Sequence, residues 1–122
     1  MDNNAAPSIP IEVSLGEQLS SVEFVQDYVQ LRFDGPNLTL FVWPSLHFPG
    51  RTIRFGEQGY RDELCGRITH KVQQARIRWE EYMLIEFDDG VELIASLKAE
   101  DRTGPEAGYF ATSATGGALL DF

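Results

Sequence analysis

One cysteine, Cys65, and two histidines are all that the 122-residue chain offers toward thiol and imidazole chemistry. A lone cysteine excludes an internal disulfide and a cysteine-rich zinc centre, and metal chemistry lacks its usual ligands. Positive charge is also scarce: ten Lys and Arg stand against nineteen Asp and Glu, a net charge of −9. Such a surface repels a phosphate backbone, which argues against nucleic acid as a partner. No hydrophobic run approaches the length that spans a bilayer, so no membrane partner is expected. The opening MDNNAAPSIPIEV has neither a basic n-region nor an apolar h-region, and the expected location is the cytoplasm. TGG at 115–117 lacks the lysine and the flanking elements of a phosphate-binding loop, and no cofactor is expected.

What the chain does have is apolar residues, 43% of the total with eight Phe and two Trp, enough for one core and one domain over 1–122. It also says one phrase twice. YVQLRFDG at 28–35 and YMLIEFDDG at 82–90 share Tyr, an aliphatic residue, Phe and Asp at the same spacing. Each reads as the first strand and turn of a hairpin. In the second, a three-residue loop of Asp88, Asp89 and Gly90 pairs Phe87 with Val91, Ile85 with Leu93 and Met83 with Ala95, one apolar face. A two-residue loop would oppose Phe87 to Glu92 and mix the faces. Gly90 falls where such a loop needs a left-handed residue. In the first, a four-residue loop from Asp34 to Asn37 pairs Phe33 with Leu38, Leu31 with Leu40 and Val29 with Val42.

Upstream, LGEQLSSVEF and CGRITHKVQQARIRW both open near a glycine and place Val22 and Val72 six residues after Gly16 and Gly66. A short helix is expected from about Gly59 to Cys65, capped by Gly66, then a long strand, with room for a bulge, to Trp79; residues 66–72 fit either strand or helix. Between the two phrases, Pro44, Pro49, Gly50, Gly56 and Gly59 mark a loop around a short strand at Thr52 to Phe55. Near the end, Thr103 or Gly104 with Pro105 and Glu106 signals a helix of about two turns. ALLDF closes the chain as a strand after a turn in SATGG. The fold class is therefore α+β, mainly antiparallel β. Two pseudo-repeated β-meanders, about 13–43 and 64–97, form a sandwich or partly open barrel with one or two short helices, followed by a segment at 98–122. Neither meander can bury its single apolar face alone, so each covers the other.

Catalytic candidates are few. Asp34, Asp88 and Asp89 sit beside glycines, as tight loops prefer, rather than as a carboxylate pair. Glu80 and Glu81 read as a solvated turn. His47 and His70 have no nucleophile and orienting acid placed beside them by spacing. Cys65 at a helix C-terminus is a small packed residue, because thiol activation belongs to helix N-termini.

The pattern of Leu15, Gly16, Leu19, Val22, Tyr28, Leu31, Phe33, Asp34, Gly35 and Leu38, with the tail SLKAEDRTGPEAGYF, resembles small, acidic, uncharacterised β-rich bacterial proteins and is similar to immunity proteins of bacterial toxin systems. The resemblance implies a cytoplasmic binding protein without catalysis and carries over no functional residue. The charge distribution agrees with it. Residues 51–78 hold seven of the ten basic residues and only three acids, leaving sixteen acids elsewhere. A basic protein partner is the expected ligand, met by Glu80, Glu81, Asp88, Asp89 and Glu92. Tyr28, Phe41 and Trp43 form an apolar face suited to a homodimer or a cavity. The alternative is a small-ligand binder with a cavity between the meanders, lined by Trp43, Tyr60, Trp79 and Tyr109.

Overall fold

The computed structural model describes residue 11 and residues 14–113 and 116–122. Ten strands build two antiparallel sheets. The first half of the chain supplies β1 (Leu19–Val25), β2 (Tyr28–Phe33), β3 (Asn37–Leu40), β4 (Ser45–Phe48) and β5 (Arg51–Ile53). After a short helix α1 (Tyr60–Cys65) come β6 (Val72–Arg78), β7 (Tyr82–Phe87) and β8 (Glu92–Ser96), a 3₁₀ turn (Ala99–Asp101), β9 (Gly108–Ser113) and β10 (Gly116–Asp121). The sheets run β1-β2-β3-β9-β10 and β5-β4-β8-β7-β6. Each three-stranded meander is thus extended by a hairpin from the other half of the chain. The order is unchanged when β1–β5 are exchanged for β6–β10.

The equivalence reaches single hydrogen bonds. Gln18 and Lys71 form an isolated bridge where the two halves meet. Around it, the Leu19 N–H donates to the His70 carbonyl at 3.0 Å as the Val72 N–H does to Glu17 at 3.0 Å. The Thr69 N–H donates to Leu19 as the Gly16 N–H does to Val72, both at 2.8 Å. Gly16 and Thr69 share a left-handed backbone, with φ of 80° and 82°. One bulge follows in each half, at Ser20 between Leu19 and Ser21 and at Gln73 between Val72 and Gln74. The true counterparts are therefore Gly16 with Thr69 and Leu19 with Val72, not Gly16 with Gly66 and Val22 with Val72.

The second hairpin has the expected register, with Met83 opposite Ala95, Ile85 opposite Leu93 and Gly90 at φ 87°. The first is shifted by two residues: Leu31 faces Leu38 and Val29 faces Leu40. Its turn is the pair Asp34–Gly35, closed by the Phe33 N–H on the Pro36 carbonyl at 2.9 Å. A shift of two preserves side-chain parity, so Val29, Leu31, Phe33, Leu38, Leu40 and Val42 are all buried as the pattern requires. With Met83, Ile85, Phe87, Leu93 and Phe110 they form one core that fills the space between the sheets. The groove described below opens on the outside.

The helix forms where expected. Tyr60 and Leu64, four apart, turn one buried face to the core, and the Gly66 N–H ends the helix on the Asp62 carbonyl at 2.8 Å. Residues 67–69 are neither strand nor helix but turns, and β6 begins only at Val72. The loop expected at 44–50 contains β4, which pairs with β5 and β8. The expected helix after Thr103 is absent. Strand pairing overrides its start signal: the Ala107 carbonyl accepts the Phe41 N–H at 2.7 Å and the Ala107 N–H donates to Phe122 at 2.7 Å, which draws the segment out into β9. Gly108 is obligatory in this pairing, since a Cβ there would lie 2.3 Å from the Thr39 carbonyl oxygen. No helix among the described residues is long and apolar enough to cross a membrane.

Candidate functional site

The five candidate acids do not form one patch. Glu80 and Glu81 occupy the β6–β7 turn, where Glu80 has φ 65° and Glu81 pairs with Arg78 Nε at 3.1 Å. Asp88 and Asp89 lie in the β7–β8 loop, at the other end of a six-residue strand and so roughly 20 Å away. Here the carboxylates are already engaged. Asp88 Oδ1 meets His70 Nδ1 at 2.8 Å and Oδ2 accepts the Lys71 N–H at 3.2 Å. Both oxygens of Asp89 accept from Arg67 Nη1 at 2.8 Å. The Arg67 guanidinium is buried against the rings of Phe48 and Phe87, with centroids at 5.7 and 5.6 Å. The His70 bond, with help from the Lys71 amide, holds the Asp88 carboxyl below the ordinary range. Desolvation pushes Asp89 up, but Arg67 and the Val91 amide outweigh it and hold that carboxyl low as well.

The donor atoms of His70, Asp88 and Asp89 all fall within 4.8 Å of one another, a spacing a metal ion would accept. A cation would have to displace Arg67 Nη1, which both Asp89 oxygens hold. The arrangement instead ties the β7–β8 loop to the turn after α1, a structural corner.

Glu92 lies elsewhere, on the outer face of the second sheet. Its cross-strand neighbours are Glu86 on β7 and His47 on β4. Neither Glu86 nor Glu92 has a cationic partner among the described residues, so two carboxylates face each other directly across a strand pair. Sequence reasoning missed Glu86, although its parity with Glu92 about the hairpin loop would have found it.

His47 does have a hydroxyl beside it, contrary to the spacing argument. Its Nε2 lies 2.8 Å from Ser45 Oγ, two residues earlier on the same face. Its Nδ1 meets Thr52 Oγ1 at 3.2 Å, where a catalytic arrangement would place a carboxylate.

Toward the opposite end of this face the surface opens into a groove of about 600 Å³. Trp43, Phe55 and Tyr82 give it aromatic walls, Ser45, Ile94 and Ser96 its floor, and Arg54 and Lys98 its cations. The aromatic side is held firmly. Trp43 and Phe55 stack with centroids 4.2 Å apart and planes within 10°, and Tyr60 meets Phe55 edge-on at 5.7 Å. The buried Tyr60 hydroxyl donates to the Pro44 carbonyl, which pins the loop that carries Trp43. Burial pushes the Tyr60 phenol well above its ordinary value, so it remains a donor at any physiological pH.

The outer face of the first sheet is closed at the same stations. Phe41 contacts both Tyr28 and Tyr109, with ring centroids at 5.8 and 6.2 Å. Beside them the Gln30 amide donates to Thr39 Oγ1 at 3.0 Å, and Arg32 bridges Gln30 and Glu23 at 2.7 Å each. Trp43 belongs to the other cluster, with Phe24 and Phe55. Of the four aromatics expected to line a cavity, Trp43 and Tyr60 are joined through Phe55, Tyr109 lies on the first sheet, and Trp79 is exposed in the β6–β7 turn.

No family model, no curated protein and no solved structure matches the chain.

Proposed function

We propose that the protein is a non-catalytic binding module that engages a basic protein partner through the outer face of its second sheet. The observation that carries this reading is the Glu86–Glu92 pair. Like charges placed directly opposite destabilise a strand pair by a few tenths to about 1 kcal/mol, and an unpartnered pair persists at a cost to the free protein. A Lys or Arg from a partner relieves that cost on binding. The net charge of −9 adds steering, and Glu80, at the far end of β7 from the pair, adds to the field rather than to the contact. Asp88, Asp89 and Glu81 contribute field more than contact, since each already holds a cation or an imidazole. The shared strand order, bulges and corner hydrogen bonds support reading the chain as two copies of one unit. In that reading one of the two equivalent sheets keeps a stable outer face and the other is given to binding, as suits a small immunity-like protein.

The test is capture from a lysate of the source organism by immobilised protein at low and high salt, wild type beside Glu86→Gln/Glu92→Gln. The proposal expects basic proteins that are retained at low salt, released at high salt and lost from the variant. An identical set of captured proteins on both columns would count against it.

A further inference from the structure

We propose that the groove over Ser45 and Ser96 is a binding site for a small aromatic anion, a planar ring carrying a carboxylate or phosphate group. The first argument is comparative. By strand register, Tyr28, Phe41 and Tyr109 on the first sheet correspond to Tyr82, Ser96 and Ser45 on the second. Tyr28 is opposite Phe41 as Tyr82 is opposite Ser96, and Tyr109 flanks Thr39 as Ser45 flanks Ile94. Where one sheet fills its outer face with two large rings, the other carries two hydroxyls. The volume those rings would occupy is the groove, and its size falls in the range of small-molecule sites.

The second argument is charge. In an acidic protein, cations that line a groove are expected to be paired, yet neither the Arg54 guanidinium nor the Lys98 ammonium has a side-chain partner among the described residues. The acids that line the same groove are engaged instead: Glu81 holds Arg78, and Asp101 accepts the Ser96 hydroxyl. The groove therefore offers unpaired positive groups beside the rigid rings of Trp43 and Phe55, held by Tyr60. Rings supply apolar and stacking contact, and the two cations fix an anionic substituent. The acidic pair at Glu86 and Glu92 lies on the same sheet beyond Ile94 and Leu84, so the two surfaces can act separately.

The experiment is titration of isotope-labelled protein by amide NMR with 2-naphthoate, with 2-naphthalenemethanol as the same ring without charge, and with acetate as the charge without the ring. Saturable shifts with 2-naphthoate are expected at Ser45, Phe55, Ser96 and Lys98, with the alcohol and acetate each binding at least about tenfold more weakly. Arg54→Gln/Lys98→Gln should weaken naphthoate by about tenfold or more and leave the alcohol unchanged; both positions are exposed, so the fold is retained. Ser45→Tyr/Ser96→Phe, which copies the first sheet, should abolish binding while the spectrum stays dispersed. Absence of saturable naphthoate binding, equal affinity for the alcohol, or an unaltered Arg54→Gln/Lys98→Gln variant would each overturn the proposal.

Discussion

The outer faces of the two sheets differ more than their inner faces do. Inside, equivalent positions carry equivalent residues: Phe33 and Phe87, Leu31 and Ile85, Leu38 and Leu93 are all buried. Outside, the first sheet is satisfied within itself, its aromatics joined through Phe41 and Arg32 paired with Glu23. The second sheet keeps two carboxylates opposed, two cations unpaired and a groove where its counterpart has rings. A core is constrained by packing, so the halves agree there. An outer face is freer to vary, and there the two sheets diverge.

The comparison can be broken first at the core. Phe33→Ala and Phe87→Ala should each cost about 3 to 5 kcal/mol in urea melts, as for other buried aromatics, and by similar amounts because their stations are equivalent. A negligible loss at either would contradict the shared plan. The outer faces should then diverge. Phe41→Ser removes a ring from the aromatic trio and should cost about 1 to 2 kcal/mol, whereas Ser96→Ala, at the equivalent station, forfeits only exposed hydrogen bonds to Asp101 and the Lys98 amide and should cost less, about 0.5 kcal/mol.

The corner at the β7–β8 loop sharpens the contrast by pH. Asp88 and Asp89 both titrate below the ordinary carboxylate value in the folded state, so the unfolded chain takes up their protons first as pH falls. Their contribution is complete above an unfolded value of about 4 and is lost as pH drops through the lower folded values. Wild type should lose stability across that acid window more steeply than Asp88→Asn/Asp89→Asn, measured by urea melts at stepped pH. Parallel curves would mean that the corner holds no linked stability.

Parity carries much of this architecture, and parity is legible in sequence. The second hairpin could be registered because only a three-residue loop puts Phe87, Ile85 and Met83 on the face of Val91, Leu93 and Ala95. The first could not be fixed by parity alone, since pairing Leu31 with Leu38 or with Leu40 buries the same residues; the Asp34–Gly35 turn signal was the missing discriminator. β4 is only four residues long between two prolines, but Leu46 is buried while Ser45 and His47 turn outward, an alternation that the punctuation concealed. The helix signal at Thr103–Glu106 was real and lost to strand pairing at Ala107 and Gly108. The groove was the least legible. Ser45 neighbours Ile94 only through a strand exchanged between the halves, and no local spacing reports that.

The account rests on the second sheet carrying an uncompensated charge pair on its outer face, and denaturation of Glu86→Gln/Glu92→Gln beside wild type tests this most directly. The variant should be more stable by a few tenths to about 1 kcal/mol at low salt, with the gap shrinking as salt screens the repulsion. A variant less stable than wild type at low salt would mean that these carboxylates are held by favourable contacts of their own, and would contradict the reading of this face as one kept for a basic partner.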